Sequence, residues 1–127
     1  MNYSKKVILT GASGLIGKES IEPLKNAGFG VYALTIDKNN PDNGVNWIYC
    51  NIFDTEKVEK VFKSVKPKYL LHFAWAATND YLTSTINFAF QNASLIMLKN
   101  FASNGGARAV FAGTCFEYEF KETPLKE

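Results

Sequence analysis

Short apolar runs alternate along the chain with longer segments in which apolar residues recur at helical spacing. The first run, Val7 to Thr10, stops at Gly11. Leu15 to Ala27 reads as a helix, with Ile16, Ser20 and Leu24 on one face and Gly28 as its stop. Pro23 lies inside that helix and removes one backbone hydrogen bond, which predicts a kink or a locally loosened turn. Val31 to Ile36 and Val45 to Cys50 read as the second and third strands, and the turn-forming stretch Asn39 to Gly44 between them as a surface loop. Asp54 is placed to cap a helix that has Glu56 in its first turn, Val58, Val61, Phe62 and Val65 at the 3.6 period, and Pro67 beyond its end. Tyr69 to Ala74 is the fourth strand. A longer helix follows, from Thr83 to Asn104, with Phe90, Ala93, Met97 and Phe101 as its inner stripe and Gly105-Gly106 as its end. Arg108 to Gly113 is the fifth strand, and a polar tail runs from Glu117 to Glu127.

Strands apolar on both faces and joined by helices imply a parallel sheet covered on both sides. Right-handed crossovers then give an α/β fold: a Rossmann-type, doubly wound parallel sheet of about five strands with helices on both faces. No internal repeat, low-complexity segment or domain linker interrupts it.

With 127 residues the chain amounts to one domain, residues 1–127. Hydrophobic residues make up 46% and charged residues 20%, a globular composition. The net charge of +2 is too small and too scattered for a nucleic-acid footprint, so no nucleic-acid partner is expected. No run approaches the ~18 apolar residues of a membrane span, and no leader pattern opens the chain. A cytoplasmic protein without a membrane partner is the resulting expectation. Cys50 and Cys115, at the ends of apolar runs, read as small buried hydrophobes, and with a single His a multi-histidine metal centre is excluded. That residue, His72, lies within an apolar strand and reads as a hydrogen-bonded core group rather than a catalytic one. Lys57, Lys60 and Lys63 read as a solvated helix face.

The decisive segment is Thr10-Gly11-Ala12-Ser13-Gly14-Leu15-Ile16-Gly17, directly after the first strand and opening the first helix. Gly11 permits the sharp strand-to-helix turn, Gly14 lets a pyrophosphate approach the backbone, and Gly17 lets the helix lie close to the sheet. The free N–H groups at the helix start then face the phosphates. A P-loop is excluded, since Ala12 stands in place of its first glycine and Glu19 in place of the Ser or Thr after Lys18.

The phosphate turn, Asn51-Ile52-Phe53-Asp54, His72-Phe73-Ala74-Trp75 and Ala112-Gly113-Thr114-Cys115-Phe116-Glu117-Tyr118 together resemble the extended short-chain dehydrogenase/reductase family. This is the NAD-dependent epimerase/dehydratase group, acting mostly on nucleotide sugars. The resemblance implies that Gly11, Ser13, Gly14, Leu15, Ile16 and Gly17 hold the pyrophosphate. It implies that Asn51 and Ile52 flank the adenine, and that Phe73, Ala74 and Trp75 line the nicotinamide ribose. Thr114 matches the family's Ser/Thr, whose hydroxyl bonds the substrate oxygen being oxidised or reduced. Tyr118 matches a structural tyrosine.

Three departures qualify the match. Thr35 stands where the family has an acid at the end of the second strand. Asp37, two residues on, can replace that acid, whereas Lys38 would meet a 2′-phosphate, so both NAD and NADP stay open. Asn51 replaces an adenine-side acid. Finally, no Tyr-x-x-x-Lys occurs, since Tyr81 is followed four residues later by Thr85. That pair is the family's general acid/base and its partner. The expectation is the N-terminal cofactor-binding part of a longer enzyme, truncated after the fifth strand. The enzyme would be an NAD(P)-dependent nucleotide-sugar epimerase, dehydratase or reductase, with the isolated chain inactive. The alternative is a non-catalytic NAD(P)-binding sensor or regulatory module. An uncovered fifth strand further predicts a homodimer or aggregation.

Overall fold

The computed structural model describes residues 4–114, 117–119 and 121–124. Eight elements follow in the order β1 (Lys5–Thr10), α1 (Leu15–Asn26), β2 (Phe29–Thr35), β3 (Asn46–Tyr49), α2 (Thr55–Val65), β4 (Tyr69–His72), α3 (Ile86–Ser103) and β5 (Arg108–Phe111). The strands form one parallel sheet in the order β3-β2-β1-β4-β5, with Val7 opposite Val31 on one side and Tyr69 on the other. The chain reverses direction of travel across the sheet at β1, so a crevice opens between the carboxyl ends of β1 and β4.

Successive side chains of β1 point to opposite faces and nucleate two cores. Ile8 packs with Leu34, Leu70, Phe62 of α2 and Met97 and Phe101 of α3. Val7 and Leu9 pack with Val31, Ala33 and Ile21 of α1 on the other face. This is the doubly wound arrangement that the apolar strands imply.

The local signals act as read in α2. Asp54 Oδ1 accepts the Lys57 N–H at 3.0 Å, and Val58, Val61, Phe62 and Val65 are all buried. Gly28 and Gly105 follow the ends of α1 and α3 with φ of 81° each. α1 runs on through Pro23 to Asn26.

Its buried face, however, differs from the reading. Gly17 and Ile21 face the sheet, Ser20 and Leu24 are half-buried, and Ile16 is 62% exposed. A glycine carries no hydropathic signal, yet the helix is rotated to place Gly17 against the end of β1. α3 begins at Ile86, after turns over residues 79–83, rather than at Thr83. β4 ends at His72: the Phe73 N–H is shared between the Thr10 carbonyl and hydroxyl, and the Ala74 N–H goes to that hydroxyl. Cys50 is buried, whereas Cys115 and Phe116 lie outside the described residues. β5 pairs only with β4 among the described residues, and its Val110 and Phe111 are exposed.

The two-core arrangement predicts a sharp contrast between aromatic truncations. Phe62→Ala should cost about 3–5 kcal/mol in urea unfolding, because the ring is fully buried. Phe88→Ala, on the exposed face of α3, should stay within about 0.5 kcal/mol. Equal costs at the two positions would contradict this packing.

Candidate functional site

Between β1 and α1 the backbone is shaped by contacts that only glycine permits. Gly11 has φ of 69°, and a Cβ there would lie 2.8 Å from the Ala74 nitrogen and from the Phe73 carbonyl carbon. A Cβ on Gly17 would lie 2.0 Å from the Gly11 carbonyl oxygen. Gly14 differs: its N–H donates to the Gly11 carbonyl at 3.0 Å, and a Cβ would meet only that oxygen, at 3.2 Å. The protein's own packing thus demands Gly11 and Gly17, while Gly14 is exposed and a Cβ there would meet one close contact rather than a collision. No side chain caps the start of α1, and its first turn carries no acid. Its first amide donors and the positive end of its dipole thus have no side-chain acceptor beside them, an arrangement suited to an anion.

The turn opens into a cleft of about 530 Å³ at the carboxyl ends of β1 to β4. Gly11, Ser13, Gly14, Leu15, Ile16 and Gly17 line it from the turn and helix start. Thr35 and Asp37 join from the β2 exit, Asn51 and Ile52 from the β3 exit, and Phe73, Ala74 and Trp75 from the β4 exit. Thirteen positions scattered through the sequence therefore share one surface. Thr114 is not in that lining. It lies beyond β5, where its backbone N–H donates to Glu117 Oε1 at 3.0 Å. The Thr35 hydroxyl accepts the Asp37 N–H at 3.0 Å, which shapes the β2 exit and leaves Asp37 exposed. Asn51 Oδ1 accepts the Phe53 N–H at 3.0 Å, so this oxygen is already engaged in shaping the loop. Sequence reading missed Phe53 and Phe90 as lining residues. Phe90 has helical spacing with core residues, and nothing in that spacing separates a ring facing a core from one facing a cleft.

Beneath the cleft lies a closed polar network. Thr10 and His72 are 0% and 3% exposed. The Thr10 hydroxyl meets His72 Nδ1 at 2.6 Å and accepts the Phe73 and Ala74 N–H groups, each at 3.2 Å. His72 Nε2 meets the Ser94 hydroxyl at 2.8 Å, and that hydroxyl donates to the Phe90 carbonyl at 2.8 Å. Because Ser94 gives its proton to Phe90, Nε2 must carry the imidazole hydrogen, and Nδ1 must accept from Thr10. Burial pushes the His72 pKa down to about 4, in keeping with this neutral ring. His72 is thus the hydrogen-bonded core group its sequence context implies, and it ties the phosphate turn, the β4 exit and α3 together. Burial likewise raises the Cys50 thiol pKa, which disfavours a nucleophilic thiolate at the cleft floor. Among the described residues no cluster of three or more His, Cys, Asp or Glu could hold a metal ion, and no helix is long and apolar enough to cross a membrane.

Residues 7–127 match the NAD dependent epimerase/dehydratase family. The chain belongs to that family. It is 30% identical over 123 residues to a dTDP-6-deoxy-L-talose 4-dehydrogenase (NAD(+)) of Aggregatibacter actinomycetemcomitans, covering 94% of this chain and 45% of the relative. The Thermus thermophilus UDP-glucose 4-epimerase, solved with NAD, superposes with a TM-score of 0.80 at 27% identity, over 96% of this chain and 42% of that one. The Bordetella bronchiseptica enzyme WbmG, solved with NAD, shares the fold with a TM-score of 0.71 at 23% identity, over 84% of this chain and 36% of that one. The chain thus spans under half the length of these relatives.

The buried imidazole sets a pH dependence with a definite sign. Unfolded His72 titrates near 6.5, but folded His72 only at about 4, so between these values the unfolded chain binds the extra proton. The contribution to stability is complete above pH 6.5 and falls as pH drops toward 4, by about 3 kcal/mol in all. Urea unfolding of wild type and His72→Gln across this range should show a shallower pH slope for the variant. Identical slopes would contradict the neutral buried ring.

Proposed function

We propose that this chain is the dinucleotide-binding part of an NAD-dependent nucleotide-sugar epimerase, dehydratase or reductase. The observation that carries the reading is the uncapped start of α1, held against β1 by Gly11 and Gly17 while Gly14 leaves room for a diphosphate. The residues present fit such a group: amide donors without a competing carboxylate, a backbone approach that a side chain would fill, and a mostly apolar cleft lined from the β2 exit to the β4 exit. In this reading the amides of Ser13 to Gly17 bind the phosphates. Asp37 meets the adenosine ribose hydroxyls, Asn51 and Ile52 flank the adenine, and Phe73, Ala74 and Trp75 line the nicotinamide ribose. Bound there, the nicotinamide supplies hydride exchange with a sugar carbon. The Thr114 hydroxyl, at the same edge of the sheet, orients the substrate oxygen. NAD rather than NADP is supported by exposed Asp37 at the β2 exit, by the named NAD(+) relative and by the NAD complexes of similar structures.

No Tyr-x-x-x-Lys is present, so the isolated chain is proposed to bind the cofactor without turning over substrate. A second reading is a non-catalytic NAD sensor. A calorimetric titration should give saturable NAD binding and weaker NADP binding, and NADH oxidation with a panel of nucleotide sugars should stay at background. Absence of NAD binding would overturn the cofactor site, and clear turnover would overturn both the inactivity and the sensor reading.

A substitution series separates folding from binding. Gly17→Ala should prevent stable folding, because its Cβ collides with the Gly11 backbone. Gly14→Ala should fold yet bind NAD about tenfold more weakly or worse, a loss of about 1.4 kcal/mol. Gly14→Ala with native affinity would remove the diphosphate from this turn.

A further inference from the structure

Two Asn-Gly pairs occur in the chain, Asn43-Gly44 in the connection between β2 and β3 and Asn104-Gly105 at the end of α3. The fold treats them differently. At α3 the Gly105 N–H donates to the Ala102 carbonyl at 3.2 Å, and the Asn104 side-chain amide donates to the Asn100 carbonyl at 2.8 Å. At the connection the Gly44 N–H has no acceptor among the described residues, and Gly44 is exposed with φ of 75°. An amide nitrogen that follows an asparagine and is free to lose its proton can attack that asparagine's side-chain carbon.

The neighbours of Asn43 act on both partners of that attack. Lys25 Nζ of α1 donates to the Asn43 main-chain carbonyl at 2.6 Å. That carbonyl and the Gly44 N–H belong to one peptide group, so an ammonium on the oxygen draws charge from the nitrogen and acidifies its proton. On the side chain, Asn43 Oδ1 accepts the Val45 N–H at 3.4 Å and the Trp47 indole N–H at 3.3 Å, the indole being shared with the Pro41 carbonyl at 3.0 Å. Both donors polarise the carbonyl and stand where negative charge gathers when its carbon is attacked. Nothing crowds the nitrogen, since even a Cβ built on Gly44 would meet only the Lys25 side chain, at 3.5 Å.

We propose that Asn43 is a self-modifying residue, converted to aspartate and isoaspartate through a cyclic imide with Gly44, with Lys25 and Trp47 as the activating groups. Hydroxide takes the Gly44 amide proton, and the nitrogen bonds to Asn43 Cγ. The Cγ–Nδ2 bond breaks, and the leaving nitrogen takes a proton from water and departs as ammonia. Water then opens the imide at one or the other carbonyl, and no electrons are gained or lost. The product sets a carboxylate close to Lys25, and isoaspartate also adds a methylene to the main chain of the loop. The change is one-way and independent of any cofactor.

Peptide mass mapping of the folded chain, incubated at mildly alkaline pH, tests this. The mass change of an amide-to-acid exchange should accumulate at Asn43 and not at Asn104, and an isoaspartyl methyltransferase should label the Asn43 peptide. In urea, where both pairs lose their surroundings, the two should convert at similar rates. Lys25→Gln should slow conversion of Asn43 about tenfold at a given pH, the scale of one charge-assisted hydrogen bond, and should move its pH–rate profile to higher pH. Lys25→Arg, which keeps the charge, should keep the rate. Trp47→Phe should slow conversion about threefold, the scale of one neutral hydrogen bond. Asn104 converting as fast as Asn43 in the folded chain overturns the proposal. So does a Lys25→Gln variant with an unmoved pH profile, or a Trp47→Phe variant that converts faster than wild type, since the donors would then be restraining Asn43 rather than activating it.

Discussion

The carbonyl of Gly11 and the α-carbon of Gly17 occupy the approach by which α1 lies against the end of β1. That contact leaves no room for a side chain on Gly17, and the Phe73–Ala74 peptide leaves none on Gly11. It sets the rotation of α1 about its axis, so that Gly17 and Ile21 face the sheet and Ile16 does not. It also aims the uncapped helix start across the carboxyl edge of the sheet, where the strand exits diverge. The cleft is a consequence of this steric arrangement together with the strand order β3-β2-β1-β4-β5.

A second constraint keeps the cleft's far side in place. The Thr10 hydroxyl serves two amides of the β4 exit and the ring of His72, and the ring in turn reaches Ser94 of α3. Each side-chain donor and acceptor in this relay has a partner, and burying it unmatched would be destabilising. The same peptide that Thr10 holds, between Phe73 and Ala74, is the one against which Gly11 is packed. Phosphate turn, β4 exit and α3 are thus joined at one buried point directly beneath the proposed ligand.

Much of this was legible in the residues, for reasons that differ between elements. The helix over Thr55–Val65 could be read because its cap and its apolar period agree, and each signal has a single structural meaning. The parallel, two-sided sheet followed from the apolar character of its strands on both faces. The face of α1 was not legible, because the residue that decides it is a glycine, invisible to any apolar pattern. Phe90 was read as core, and it is half-buried at the cleft wall, since apolar spacing reports which side of a helix is covered but not by what. Eleven of the thirteen cofactor-side positions lie in the short motifs that carry the resemblance, Thr35 and Asp37 stand at the β2 exit where the sequence departs from it, and the structure brings all thirteen to one surface. Thr114 lies outside that surface, past the end of the edge strand β5.

The central claim is that the amides of residues 11–17 hold a diphosphate, and amide NMR of the ¹⁵N-labelled chain titrated with NAD reads those groups one by one. The account predicts the largest shifts at Ser13 to Gly17, reproduced by ADP-ribose. It predicts small shifts at the amides of the outer face of α3. Shifts spread evenly over the surface, or concentrated away from the turn, would contradict it.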